Sequence, residues 1–266
     1  MAASPSRRRG WMFRIGQLCA SIIVLMFVWK TIEITLAPGA KFDKNNVTER
    51  EQRQARPPYV PLRRIVHFDL KGAPPKVEYF VELLHLIKKA GATGVLIEWE
   101  DTFPFSGSLE NAVSGVAYSL GEVKTILGTA KELNLQVIPL IQTFGHLEWL
   151  LKLKDFAHLR DDPQYANVIC AAADQAWSIL KEMLRQVITV HKDFGLKFFH
   201  IGCDEIYKVG VCDEAAAKLK EFGNNVTDDT RIQYMMWHMA RLSMYIQSKA
   251  LAAGTRVLAW NDMFTG

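Results

Sequence analysis

Five short apolar runs alternate with amphipathic helical stretches, a polar or acidic side chain follows each run, and no glycine-rich phosphate loop is present. These observations predict an α/β fold: a parallel (β/α)8 TIM barrel with about its first five β/α units in the chain. Strand–helix alternation implies parallel pairing, because parallel neighbours need a crossover. The runs are apolar along their whole length, as strands covered on both faces are. Neither GxGxxG nor GxxxxGK[ST] follows any run, which argues against a dinucleotide or nucleotide fold.

Arg64–Phe68 reads as the first strand. A helix over Pro75–Ala90 follows, with Val77, Phe80, Val81, Leu84 and Ile87 at helical spacing and Gly91 as its stop. Gly94–Ile97 is the second strand. Ser119 and Glu122 form a capping box that starts a helix running to about Leu133. Gln136–Ile141 is the third strand, and Gln175–Phe194 a long helix closed by Gly195. Phe198–Ile201 is the fourth strand. Asp229–Ala253 is a helix, entered through a shorter one at Glu214–Phe222 and ended by Gly254. Arg256–Trp260 is the fifth strand. Three further units of a full barrel would lie beyond Gly266, so the expectation is an open arc whose last strand presents an unpaired edge.

With 266 residues and 49% hydrophobic content the chain can build a sizeable core. Its 23% charged and 11% aromatic residues exclude a disordered chain. The net charge is +4, and Arg7, Arg8, Arg9, Arg14 and Lys30 supply a cluster near the start. The other basic residues are spread thinly, which excludes the basic stripe of a nucleic-acid binder. Cys19, Cys170, Cys203 and Cys212 form no CxxC pair, so a zinc ribbon or a thioredoxin-like site is not expected. A disulfide among the last three stays open.

Residues 15–29 are apolar apart from Gln17 and Ser21, and reach the length of a membrane span only with help from the softer stretch to Ala37. Arg7–Arg9 precede them, and positive charge stays on the cytoplasmic side. The expectation is a cytoplasmic tail (1–14), a signal-anchor transmembrane segment (15–37), a polar Pro-containing stalk (38–62) and a catalytic domain (63–266). That domain would be lumenal or extracellular, as in a single-pass type II protein of the Golgi or secretory pathway. A cleaved signal peptide is the alternative, but no clean small-x-small site stands in the right place. Glycosylation sequons at Asn46-Val47-Thr48 and Asn225-Val226-Thr227 fit a lumenal location.

In a barrel the C-terminal strand ends converge on one mouth. His67 and Asp69 follow the first strand, and Glu98, Glu100 and Asp101 the second. Gln142 and His146 follow the third, Asp204 and Glu205 the fourth, and Asn261 and Asp262 the fifth. Two adjacent carboxylates at an apolar mouth are costly unless paired or used. One use is glycoside hydrolysis, with an acid protonating the leaving oxygen while another group stabilises the sugar cation. The plainer reading is an Asp that caps the next helix with a Glu in its first turn.

The segment HIGCDE, His200–Glu205, resembles the H-x-G-x-D-E signature of family 20 glycoside hydrolases, the β-N-acetylhexosaminidases. HFDLKGAPPK, LIEWEDTFPF, PLIQTFGHLEW and LAWNDMF resemble, in order, strand ends of the branch of that family without a lysosomal pro-domain. The resemblance covers about Arg63 to Gly266. It implies cofactor-free, metal-free, substrate-assisted retention on glycans ending in GlcNAc or GalNAc, in which the substrate's acetamido oxygen attacks the anomeric carbon. Asp204 would hold the acetamido N–H, and Glu205 would act as general acid and then base, with a pKa raised by burial and by Asp204. His146 and Asp101 would hydrogen-bond to one another and tune that acid. Trp260 would wall the acetamido pocket, where plain barrel core is the alternative, and Asp262 would bind a sugar hydroxyl. Asp69 and Lys71 stand where the family carries a sugar-gripping arginine, and a lysine makes point contacts rather than a fork. The family's tyrosine after strand seven and its sugar ligands after strand eight would fall beyond Gly266.

Two other readings compete. One is a catalytically silent, membrane-anchored carbohydrate-binding or regulatory relative. The other is a metal-dependent hydrolase using His67, His146, His200 and Asp204, disfavoured because His200 sits inside its strand and no HxH pair follows strand one. A homodimer is a further expectation, with a second copy completing the open arc.

Overall fold

The computed structural model of the protein describes residues 59–206, 208–250 and 254–264. The expected tail, signal-anchor, sequon at Asn46 and most of the stalk lie outside the described residues. Residues 59–62, where the stalk was expected to end, are exposed and form neither helix nor strand. Among the described residues no helix is long and apolar enough to cross a membrane.

Within the compact unit Pro61–Gly266, five strands form one parallel sheet in chain order. They are β1 (Ile65–Asp69), β2 (Gly94–Glu98), β3 (Gln136–Leu140), β4 (Phe198–His200) and β5 (Arg256–Leu258). This is the sheet order of the first five units of a (β/α)8 barrel. Helix α1 (Val77–Lys89) links β1 to β2, α2 (Leu120–Glu132) links β2 to β3, and α3 (Asp174–His191) links β3 to β4. Two helices, α4 (Asp213–Phe222) and α5 (Asp228–Ala250), lie between β4 and β5.

The local chemistry that sets these elements is direct. Ser119 Oγ accepts from the Glu122 N–H while Glu122 Oε2 accepts from the Ser119 N–H, the reciprocal pair that starts α2. After α3 the chain tightens into a 3-10 turn, Lys192–Phe194, and then takes a left-handed backbone at Gly195 (φ 89°) that a glycine adopts without steric cost. The fifth strand is shorter than expected because Trp260, rather than continuing a ladder, donates its N–H to Gly202 O in the loop beyond β4.

Side chains alternate across the strands, so the sheet has two faces. Val95, Ile97 and Phe199 point outward into a core with Phe80 and Leu84 of α1, Ile126 and Leu127 of α2, Leu184 of α3 and Leu242 of α5. Leu96, Ile138, Leu140 and Phe198 point inward, with Leu258 and Trp260 packed against them. Burying each such side chain is worth roughly 1.5–3 kcal/mol. The inner layer forms the floor under the strand ends.

The disulfide question closes on Cys170–Cys212, with Cα atoms 6.2 Å apart, while Cys203 stays free and buried. The bond ties the segment after β3 to the start of α4, across a sequence separation of 42 residues. Beside it the buried Asp161 carboxylate accepts the N–H groups of Gly210, Val211 and Cys212 at 3.1, 2.6 and 3.4 Å. The loop that follows the acid pair is therefore pinned at its far end. Closing a loop of this length stabilises by about 2–4 kcal/mol. Cys212→Ser is expected to lower the free energy of unfolding by that amount in denaturant melts, and reductant is expected to bring the wild type to the variant's midpoint.

Candidate active site

The strand ends bring one side chain from each of four consecutive strands into a hydrogen-bonded row. His67 on β1 contacts Glu98 Oε2 through Nε2 at 3.0 Å. Glu98, at the end of β2, accepts from Gln142 Nε2 at 3.1 Å through Oε1. Gln142, just past β3, also donates through Nε2 to Asp204 Oδ1 at 3.0 Å. His146 Nε2 then lies 3.4 Å from Asp204 Oδ2 and 3.4 Å from Glu205 Oε2, one imidazole facing both acids. From the β5 side, Asp262 Oδ2 accepts the Glu205 N–H at 3.1 Å. Asp204, Glu205, Trp260, Asn261 and Asp262 line a cleft of about 270 Å³.

The backbone here is held in costly conformations. Among the described residues, four of the five non-glycine left-handed positions belong to strand-end loops: Glu100 (φ 47°), His146 (54°), Cys203 (70°) and Glu205 (50°). Each costs roughly 1–2 kcal/mol and persists only where surroundings over-determine it, a pattern found at functional sites. Two glycines of the sequence motifs acquire a physical reason. A Cβ on Gly202 (φ 69°) would fall 1.8 Å from Gln142 Oε1, and one on Gly145 would fall 2.8 Å from Asp204 O. Neither neighbour can yield without breaking the row. His200 Nδ1 accepts the Gly202 N–H at 3.0 Å, which shapes the turn into the acid pair.

Electrostatics separates the acids. Burial works to raise the Glu98 pKa, but hydrogen bonds from His67 and Gln142 outweigh it and hold the group below the usual carboxylate range. Glu100 is 0% exposed and neither of its oxygens has a hydrogen-bond partner. Burial pushes its pKa up to about 9, with Lys71, whose Nζ lies 3.4 Å away, working against the shift. Burial also opposes the Lys71 charge, but Glu100, Asp69 and Glu98 together raise its pKa. Burial lowers His200 to about 4, which keeps that ring neutral, and raises the Cys203 thiol to about 12.

Several expectations need correction. Asp101 and His146 do not hydrogen-bond to one another: Asp101 Oδ1 is buried without a partner, while His146 turns toward Asp204 and Glu205. The left-handed backbone at His146 aims the ring at β4 rather than β2. The Glu205 side chain is 54% exposed, against 24% for Asp204, so the burial expected for the acid is absent. The left-handed step at Glu205 carries its carboxylate out over the open side of the cleft. Asp262 spends one oxygen on the Glu205 backbone. Asp69 Oδ1 accepts the Lys71 N–H at 3.0 Å, and Lys71 reaches Glu100 rather than standing free. Trp260 packs its ring 4.4 Å from that of His200 and also borders the cleft. His67, His146, His200 and Asp204 do not converge, since His67 is tied to Glu98 and His200 to Gly202. Glu98 and Gln142 belonged to the strand-end set, but nothing in their spacing signalled that they join Asp204.

An imidazole facing two adjacent carboxylates at the mouth of a parallel barrel suits proton transfer to and from a glycosidic oxygen. The fold is that of the barrel glycoside hydrolases. The chain belongs to glycosyl hydrolase family 20, whose catalytic domain matches residues 79–266. It is 38% identical over 200 residues to proteins named hexosaminidase D from Bos taurus and from Homo sapiens, covering 75% of this chain in each case. It spans 55% and 39% of the length of those two relatives. Among solved structures it is similar to a chitobiase of Flavobacterium johnsoniae (TM-score 0.60, 16% identity, 77% of this chain and 32% of that one). It is also similar to the exo-β-N-acetylglucosaminidase of Vibrio harveyi bound to N-acetylglucosamine (TM-score 0.55, 16% identity, 77% of this chain and 36% of that one). These structural likenesses bear on the fold.

Proposed function

We propose that the protein removes terminal GlcNAc or GalNAc from glycoconjugates by retaining, substrate-assisted hydrolysis at Asp204 and Glu205. The observation that carries this reading is the arrangement of the pair: Asp204 is held on one oxygen by Gln142, and Glu205 extends into the open cleft. Glu205 donates its proton to the glycosidic oxygen as the bond to the anomeric carbon breaks. The acetamido carbonyl oxygen bonds to that carbon, giving an oxazolinium ion, while Asp204 accepts the acetamido N–H and offsets the positive charge. Glu205, now a carboxylate, takes a proton from the incoming water that opens the ring. His146 lies within reach of both acids and steadies their charges as the proton moves. Trp260 offers an apolar wall to the acetyl methyl, and Asp262 lines the same cleft.

The reading extends to location. The protein is proposed as a single-pass type II membrane protein with this domain on the lumenal or extracellular side. The Cys170–Cys212 disulfide supports an oxidising compartment, and Asn225 of the second sequon sits in an exposed loop between α4 and α5. Pairing with a second copy along a sheet edge is likewise proposed, supported by β1 and β5 each having one strand neighbour among the described residues.

Release of nitrophenol from aryl β-GlcNAc and aryl β-GalNAc by the full chain tests the reading. Folded protein that binds GlcNAc but releases nothing would replace it with the silent, carbohydrate-binding alternative.

A further inference from the structure

We propose that Gln142 is the residue that positions Asp204 for its part in the reaction, and that Glu98 in turn holds Gln142. The inference rests on the proposed role of Asp204 as the acceptor of the acetamido N–H. Gln142 is 2% exposed, and its amide bonds through both its nitrogen and its oxygen. Both Nε2 hydrogens go to carboxylates, Glu98 Oε1 at 3.1 Å and Asp204 Oδ1 at 3.0 Å. Its Oε1 accepts the Cys203 N–H at 3.3 Å, one residue before the acid it serves. The amide cannot be reversed, because its carbonyl would then face two carboxylate oxygens.

A carboxylate on a short side chain at the rim of a cleft would otherwise rotate. The bond from Gln142 commits Oδ1 and leaves Oδ2 as the oxygen that faces His146 and the cleft. Glu98 is what makes Gln142 a fixed donor rather than a flexible one. His67 on β1 supports Glu98 from the other side at 3.0 Å, so the row is anchored in three strands before it reaches Asp204. Room for the amide exists only because Gly202 has no Cβ. The motif glycine and Gln142 are therefore one device: the first opens the space and the second fills it with a donor.

A merely structural Gln142 would satisfy two carboxylates and nothing more. Its loss would lower stability and leave the chemistry per folded molecule alone. A positioning residue behaves differently, because a small misplacement of a reacting group costs about 10²-fold in rate. Gln142→Met keeps the length and shape but donates nothing. Gln142→Asn keeps the amide but falls one methylene short, and serves where the first variant does not fold. For either variant, hydrolysis of aryl β-GlcNAc by folded full chain is expected to lose about 10²-fold in kcat, with KM changed less than about threefold. Glu98→Leu removes the acceptor that fixes Gln142 and is expected to fall with the Gln142 variants. A crystal structure of the Gln142→Met chain is expected to show the Asp204 carboxylate rotated from its wild-type plane.

Unchanged kcat in a folded Gln142 variant, or an Asp204 carboxylate that stays in place, would overturn the proposal. If the wild-type chain releases no nitrophenol, the proposed hydrolysis fails by itself. The crystallographic comparison then still decides whether Gln142 sets the orientation of Asp204.

Discussion

Glu205→Gln is expected to reduce hydrolysis of an aryl β-GlcNAc with a poor leaving group by about 10²–10⁴-fold, the range that a positioned general acid supplies. The size of the loss should depend on the leaving group. A phenol acidic enough to depart without a proton does not need Glu205 in the first step, so with dinitrophenyl β-GlcNAc the first-step loss should shrink. Asp204→Asn should behave otherwise. The acetamido group must be held and its developing charge offset whatever the leaving group, so both substrates should slow. Steady-state rates for the two substrates with each variant read the assignment directly. The opposite pattern, with Asp204→Asn sensitive to the leaving group and Glu205→Gln insensitive, would exchange the two roles.

Glu100→Gln is expected to make the protein more stable at neutral and alkaline pH. The fully buried carboxyl of Glu100 titrates near 9 in the folded chain, whereas an unfolded chain releases the proton at about 4.5. The folded state thus holds a proton that the unfolded state has lost. Stability supplied by this group is complete below pH 4.5 and declines as pH rises toward 9. The amide variant does not titrate and should lack that decline. Its advantage over wild type should grow by on the order of 4 kcal/mol between pH 4.5 and 7.5. Urea melts of both proteins across this range measure it. A stability difference from Glu100→Gln that stays constant over the same interval would mean that Glu100 is ionised when folded.

Much of the fold could be read from the chain because its signals are local. The apolar runs, the capping box at Ser119 and the stop at Gly195 each depend on a few neighbouring residues. Membership of the site was legible in the same way, since the end of a parallel strand is a defined place. The pairings within the site were not. Whether His146 meets Asp101 or Asp204 depends on a left-handed backbone at His146, and nothing in a non-glycine residue announces one. The exposure of Glu205 has the same origin. Gln142 was visible as a polar residue after β3, but its partners come from β2 and from the loop beyond β4, and only the sheet register brings them together. The disulfide stayed open for the same reason, since Cys170 and Cys212 approach through two irregular loops. Glu100 is visible in the sequence only as one of three acids after the second strand. Its full burial follows from the short 3-10 turn Glu100–Thr102, whose geometry the sequence does not announce.

In the proposed function the acid pair serves a reaction in which the substrate's own acetamido group is the nucleophile. The most direct measurement compares the full chain on 4-nitrophenyl β-GlcNAc and on 4-nitrophenyl β-glucoside, which share a leaving group and differ at C2. Hydrolysis confined to the acetamido sugar, with retained configuration at the released anomeric carbon, is the predicted result. Comparable hydrolysis of both sugars, or inversion at that carbon, would contradict it and would assign Asp204 and Glu205 to direct two-carboxylate chemistry instead.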